Sequence, residues 1–81
     1  MLRISHIDQR ALRVEGRIHG EASDALLHAC QEAHRPVTPL RLHLDGVTSV
    51  DLRAIRTLRA LRAAGFELVG ASNLITAMLA E

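Results

Sequence analysis

Leu40-Arg41-Leu42-His43-Leu44-Asp45-Gly46-Val47-Thr48-Ser49-Val50-Asp51 decides how this chain folds. Its first half alternates. Leu40, Leu42 and Leu44 fall on one side of an extended strand and Arg41, His43 and Asp45 on the other, because successive side chains of a strand point to opposite faces. Asp45-Gly46 reads as a turn signal that closes the strand. Asp51 then stands before a stretch of helical periodicity, where a carboxylate can accept hydrogen bonds from the free N–H groups of the first turn and complement the helix dipole. The junction gathers Thr48, Ser49 and Asp51 at a helix N-terminus. The alternation also says that the strand is covered on one face only, since a parallel strand buried on both faces reads as a continuous apolar run.

Upstream, Leu2, Ile4 and His6 alternate with Arg3, Ser5 and Ile7. Leu12, Val14 and Gly16 alternate with Arg13, Glu15 and Arg17. With the short turn Asp8-Gln9-Arg10 between them, these are two strands of a hairpin. Gly20 ends the pattern, and Ser23 is placed to cap a helix over 23–34 whose apolar positions are Ala25, Leu26, Ala29, Cys30 and Ala33. Pro36 and Pro39 end that helix. Downstream of Asp51, a second helix runs through Leu52, Ile55, Leu58 and Leu61 to Gly65, a natural C-terminal stop. A fourth strand follows over 66–71. Ser72 or Asn73 then caps a last helix carrying Leu74, Ile75, Met78 and Leu79.

The order is β-β-α-β-α-β-α, an α/β fold with a four-stranded mixed sheet. Right-handed crossovers between strands that follow one another in space put every helix on the same face. The helices therefore lie mainly on one face. The other is expected to be open and of mixed charge, carrying Arg3, Ser5, Arg13, Glu15, Arg17, Arg41, His43, Asp45 and Glu67.

Eighty-one residues make a single domain over 1–81, and 48% hydrophobic content supplies one core and argues against disorder. One Phe with no Trp or Tyr leaves no aromatic platform for stacking bases. Ten basic residues, all arginine, against nine acids give a net charge of +1, which demands no acidic partner. The single Cys30 has no intrachain partner and suits a reducing compartment. No apolar run reaches the roughly 20 residues that span a bilayer, and the opening MLRISHIDQR holds no leader-like apolar region. A cytoplasmic protein that does not itself span a membrane is expected.

Three clusters are candidates for chemistry. Arg53, Arg56, Arg59 and Arg62 recur every third residue, forming a slanting stripe of roughly 13 Å on the second helix. Solvated arginines opposite an apolar face are the ordinary outcome. The sharper reading is a docking strip for an acidic partner, whose carboxylates arginine pairs bidentately. Thr48 and Ser49 are read as turn or cap hydroxyls, with a modified hydroxyl as the rival. Cys30 and His34 are one turn apart, but two ligands do not complete a metal site, so no metal is expected. His43 and Asp45 share the open face without a nucleophile beside them. Gly16-x-x-x-Gly20 is no phosphate loop, and neither a hydrolase elbow nor a cofactor fingerprint occurs. No catalytic residue and no cofactor are expected.

The segments Leu12-Arg13-Val14-Glu15-Gly16-Arg17-Ile18, Leu42-His43-Leu44-Asp45-Gly46-Val47 and Gly65-Phe66-Glu67-Leu68-Val69-Gly70, in this order and spacing, resemble the second, third and fourth strands of STAS domains. That family includes anti-sigma factor antagonists and the STAS modules of sulfate transporters. Many of its members continue through a further strand or helix. Phospho-regulated members carry Asp-Ser/Thr-Ser/Thr/Gly-Gly at the second helix start. Here the chain reads Asp51-Leu52-Arg53-Ala54-Ile55, so the aspartate is kept and the phosphoacceptor hydroxyl is replaced by Arg53.

The resemblance implies a non-catalytic protein–protein interaction module that docks a regulatory partner through its second helix. The expected contacts are Thr48, Ser49, Asp51, Arg53, Arg56 and Arg59. An anti-sigma factor kinase or related regulator is the implied partner. The rival keeps the fold and makes the chain a STAS subunit of a lipid-transport ABC complex, bound to its ATPase. A weak nucleic-acid binder ranks third, lacking motif and basicity. An unpaired edge strand leaves the oligomeric state open.

Overall fold

A computed structural model of the chain describes residues 2–33 and 40–80. Among these residues the elements follow in the expected order: β1 (Leu2–Asp8), β2 (Ala11–Ile18), α1 (Glu21–Ala33), β3 (Arg41–Val50), α2 (Leu52–Ala63), β4 (Glu67–Val69) and α3 (Asn73–Ala80). Pro36, Pro39 and His34, which carried the first helix's stop and half of the Cys–His pair, lie outside the described residues.

The strands lie side by side in sequence order. β1 pairs antiparallel with β2, and β2–β3 and β3–β4 are parallel. The hairpin closes on an Asx turn, in which the Arg10 backbone N–H donates to Asp8 Oδ1 at 2.7 Å. α1 packs against α2 and α2 against α3, so the helices form one layer. Leu12, Val14, Ile18, Leu42 and Leu44 face that layer and are buried with Leu26, Cys30, Ile55, Leu58 and Leu61. Arg3, Arg13, Arg41, Asp45 and Glu67 stand exposed on the uncovered side. There Arg41 Nε and Glu67 Oε2, paired across β3 and β4, form an ion pair of 3.0 Å.

β3 departs from the sequence reading. It does not turn at Asp45-Gly46 but continues to Val50. Two register shifts against β2 make this possible. Arg13 opposes His43, but Glu15 opposes Gly46; Gly16 opposes Val47, but Arg17 opposes Ser49. Each shift inserts one extra residue into β3, as a β-bulge does. Gly46 is glycine because of a close approach and not because of a turn: a Cβ there would lie 2.7 Å from Glu15 Cγ. The shifts reset the alternation, so Val47 and Val50 both pack against the core despite their odd spacing.

The helix ends divide between expectation and correction. α2 stops as expected. Gly65 takes φ +104°, its N–H donates to the Arg62 carbonyl, and the Phe66 N–H donates to the Leu61 carbonyl, both at 3.1 Å. That is the Schellman pattern. Ser72 caps α3, accepting from the Ile75 N–H at 3.2 Å. Ser23 caps nothing. α1 begins two residues earlier, and Ser23 is fully buried in its first turn. Its inward position shifts the buried stripe, so Leu27 packs against the core while Ala25 faces solvent. Leu52 and Leu74, assigned by periodicity to apolar faces, are exposed, and the fourth strand contracts to three residues.

Leu58 is fully buried at the centre of α2. Leu58→Ala should lower stability by about 2–5 kcal/mol, the range for a buried leucine left as a cavity. Urea unfolding followed by circular dichroism measures it, and a loss near zero would remove Leu58 from the core.

Candidate functional site

The candidate site lies where β2 and β3 end and α1 and α2 begin. Asp51 organises it. Its Oδ1 accepts the Ala54 N–H at 2.8 Å, the N-cap bond foreseen from sequence. Its Oδ2 accepts the Gly20 N–H, also at 2.8 Å, from the loop that opens α1. The Asp51 N–H donates to the Ile18 carbonyl at 3.3 Å. One residue thus ties the end of β2, the start of α1 and the start of α2. The Gly20 N–H, then the Ala54 N–H, hold the Asp51 carboxyl below its ordinary range; desolvation opposes them and the nearby His19 adds a smaller effect in their direction.

The other expected residues separate. Thr48 is the extra residue of the second bulge in β3, unpaired with β2 and exposed. Bulges re-aim side chains in this way. Ser49 is half-buried, and its Oγ shares a hydrogen bond with His19 Nε2 at 2.6 Å. Arg53 reaches across to α1, where Nη2 forms an ion pair with Asp24 Oδ2. Arg56 is exposed and makes no hydrogen bond or ion pair among the described residues.

Arg59 turns the opposite way. It is half-buried, and its Nη2 donates to the Met78 carbonyl at 2.7 Å. Arg62, the last of the stripe, donates from Nη2 to the Leu79 carbonyl at 3.2 Å. Both guanidinium groups satisfy carbonyls of α3's last turn, which have no partner within the helix. Half of the arginine stripe is therefore a clamp on α3, and Arg59 stands apart from the surface around Asp51.

Two neighbours escaped the sequence reading. His19 is separated from Ser49 by 30 positions, and no local pattern joins them. Leu52 follows the helix cap directly and was placed in the core stripe, but Ala54 fills the inner position and leaves Leu52 60% exposed. A large apolar side chain immediately after a cap, with a small one two residues on, is the signal that marks it.

The remaining clusters do not build a site. Burial pushes the Cys30 thiol up to about 12, so the sulfur stays protonated and unreactive. His28 Nε2 and Glu32 Oε1 lie 2.9 Å apart on the exposed face of α1. Among the described residues no group of three or more His, Cys, Asp or Glu side chains converges as a metal site would require. No helix among them is long and apolar enough to cross a membrane.

No protein-family model matches the chain, and no curated protein matches it.

The Asp51 bonds carry a sign that can be measured. A carboxyl whose folded pKa is lowered stabilises the fold in its charged form. That stabilisation is complete above the ordinary carboxylate value of about 3.9 and is lost as pH falls through the lowered folded value. Asp51→Ala should unfold at lower urea than the parent at neutral pH, and the gap should narrow as pH drops past about 4. Urea midpoints across a pH series test this, and a gap independent of pH would mean that the Asp51 charge contributes nothing.

Proposed function

We propose that the chain is a non-catalytic, STAS-like interaction domain that docks a regulatory protein through the N-terminal half of α2 and the bulged end of β3. The observation that carries the reading is Leu52, 60% exposed, beside the unpaired Arg56 and the outward Thr48. An apolar anchor with a cation at its rim is a composition that protein interfaces favour. The STAS-like element order and the aspartate at the start of the second helix support the same assignment.

Asp51 itself takes a positioning role in this proposal. Both of its oxygens already accept backbone N–H groups. The open end of a parallel sheet is where ligands commonly bind in α/β folds. Here the chain's own carboxylate fills the place where two helix starts meet, which argues against a phosphate or nucleotide seat. A protein-docking role uses the surface around that carboxylate and leaves it undisturbed.

Arg53 occupies the place of the family's phosphoacceptor. Its charge is paired with Asp24, which leaves Arg56 as the unpaired cation of the N-terminal half of α2. Docking is then governed by the partner's own state or abundance, because residues 51–56 offer no hydroxyl to modify. By resemblance the partner is a kinase-like regulator of the anti-sigma type.

Tagged protein incubated in lysate of the native host should recover such a regulator, identified by mass spectrometry. Leu52→Glu and Arg56→Glu should each lose it while keeping the parent's circular dichroism spectrum. Recovery of an ABC ATPase would move the chain to a transport complex. Undiminished capture by both variants would place the docking surface elsewhere.

A further inference from the structure

β1 is an edge strand. It pairs with β2 alone among the described strands, so the backbone N–H and C=O groups on its outer side have no partner in the sheet. The other edge, β4, is three residues long, while β1 runs for seven. Edges are commonly guarded by lysine, proline or a bulge. β1 holds neither lysine nor proline, and its bulge falls at the far end, between His6 and Asp8. Its cation and its acid, Arg3 and Asp8, stand toward opposite ends, with neutral Ser5 midway. Apolar side chains on both faces are only half-covered. Leu2 and Ile4 pack against the edge of the core without being buried by it. Ile7 is 43% exposed. It lines a depression with Asp8, Ala11 and Arg41, which puts Ile7 and Asp8 on the uncovered face that also carries Arg3.

We propose that β1 pairs antiparallel with β1 of a second copy of this chain, about a two-fold axis at Ser5, so that two four-stranded sheets become one. The unpaired backbone row selects an extended segment, because a helix has spent its own N–H and C=O groups internally. The side chains select a second copy. A two-fold axis reverses the strand, so the cationic end of one copy meets the acidic end of the other, and does so twice. Ser5 is the middle residue of Leu2–Asp8, and the register centred there pairs all seven residues. It sets Arg3 opposite Ile7 of the second copy, with Asp8 of that copy next along. The arginine stem can lie over the exposed isoleucine while the guanidinium reaches the carboxylate. Arg3 is free for this. Glu15 stands opposite it on β2, but Arg3 makes no hydrogen bond or ion pair among the described residues. Asp8 keeps Oδ1 on the Arg10 N–H and has Oδ2 for the bridge, while Arg10 lies in the turn beyond the last pair. At the axis two serine hydroxyls meet, which can hydrogen-bond and bring no like charges together. On the helix side, the His6 ring of the second copy covers half-buried Ile4. β2 separates β1 from β3, so this pairing leaves the surface around Leu52 and Arg56 open and does not rest on the docking reading.

A contact of seven residues from each copy belongs to the small, transient class of interfaces. Sedimentation equilibrium of the purified chain should therefore show monomer and dimer exchanging with a Kd of about 1–100 μM. Arg3→Glu should weaken the dimer by about tenfold or more. Asp8→Asn, which keeps the oxygen that closes the hairpin turn, should weaken it in the same direction, with the fold of both variants confirmed by circular dichroism. A cross-link fixes the register. Directly opposed residues of an antiparallel pair have Cβ atoms about 4.5–5.5 Å apart, so Ser5→Cys should give a disulfide-linked dimer under mild oxidation. Buried Cys30 does not compete, and Leu74→Cys, at a position 68% exposed on α3, is the control for random collision. A monomer at every concentration up to about a hundred times the upper end of that Kd range, a dimer indifferent to Arg3→Glu and Asp8→Asn, or a Ser5→Cys cross-link no faster than the control would each overturn the proposal. So would a dimer that keeps its strength in both charge variants and is lost with Leu52→Glu, which would place the contact on α2.

Discussion

The carboxylate of Asp51 sets the geometry of this domain. Its two oxygens take backbone N–H groups from the start of α2 and from the loop opening α1, each at 2.8 Å. Both helices begin at the same edge of the sheet, and each start carries positive partial charge from its aligned peptides. Two like ends brought together repel, and a negative group between them removes the repulsion. The position of α1 relative to α2 is therefore tied to one ionised side chain. The Asp24–Arg53 ion pair adds a second link near the same level. That pair is exposed, so it contributes orientation more than stability.

Much of this was legible because it is local. Alternation over Leu40, Leu42 and Leu44 names the face of β3 that meets the helices. An aspartate before a helical run names a cap, and a glycine after one names a stop. Asp51 and Gly65 behave accordingly, with Gly65 in the left-handed region that its position requires. Where the reading erred, the deciding neighbour lay far off in sequence. Asp45-Gly46 has the composition of a turn, but Gly46 lies beneath Glu15 of β2, and the approach forbids a side chain. Ser23 has the composition of a cap, but α1 starts at Glu21 and turns that hydroxyl into the core. Nothing within a few residues of either position carries that information.

The arginines make the same point for the site. Four identical residues at equal spacing meet three different surroundings as α2 turns. One faces an acid on α1, one faces solvent, and two face the C-terminal carbonyls of α3. Helix spacing gives the direction in which each side chain leaves, but only tertiary packing says what waits there. α3 is eight residues long, and with Leu74 exposed only Ile75 and Leu79 among its side chains are buried. Its last carbonyls need donors, and Arg59 and Arg62 supply them. The sequence pattern suggested a surface for an outside partner, and half of it binds the molecule's own α3.

That division limits how the remaining surface can recognise anything. With Arg53 neutralised and Arg59 and Arg62 committed, Arg56 is the one arginine of α2 without a partner among the described residues, on a chain whose net charge is only +1. Such a field steers a partner weakly and is screened within about 8–10 Å at physiological salt. Affinity for the proposed partner would then come from buried apolar area, which the exposed Leu52 offers. A single cation at the margin sets register and not strength. The proposed docking surface would then depend on shape at the start of α2, and that shape depends in turn on the carboxylate that holds the two helix starts together.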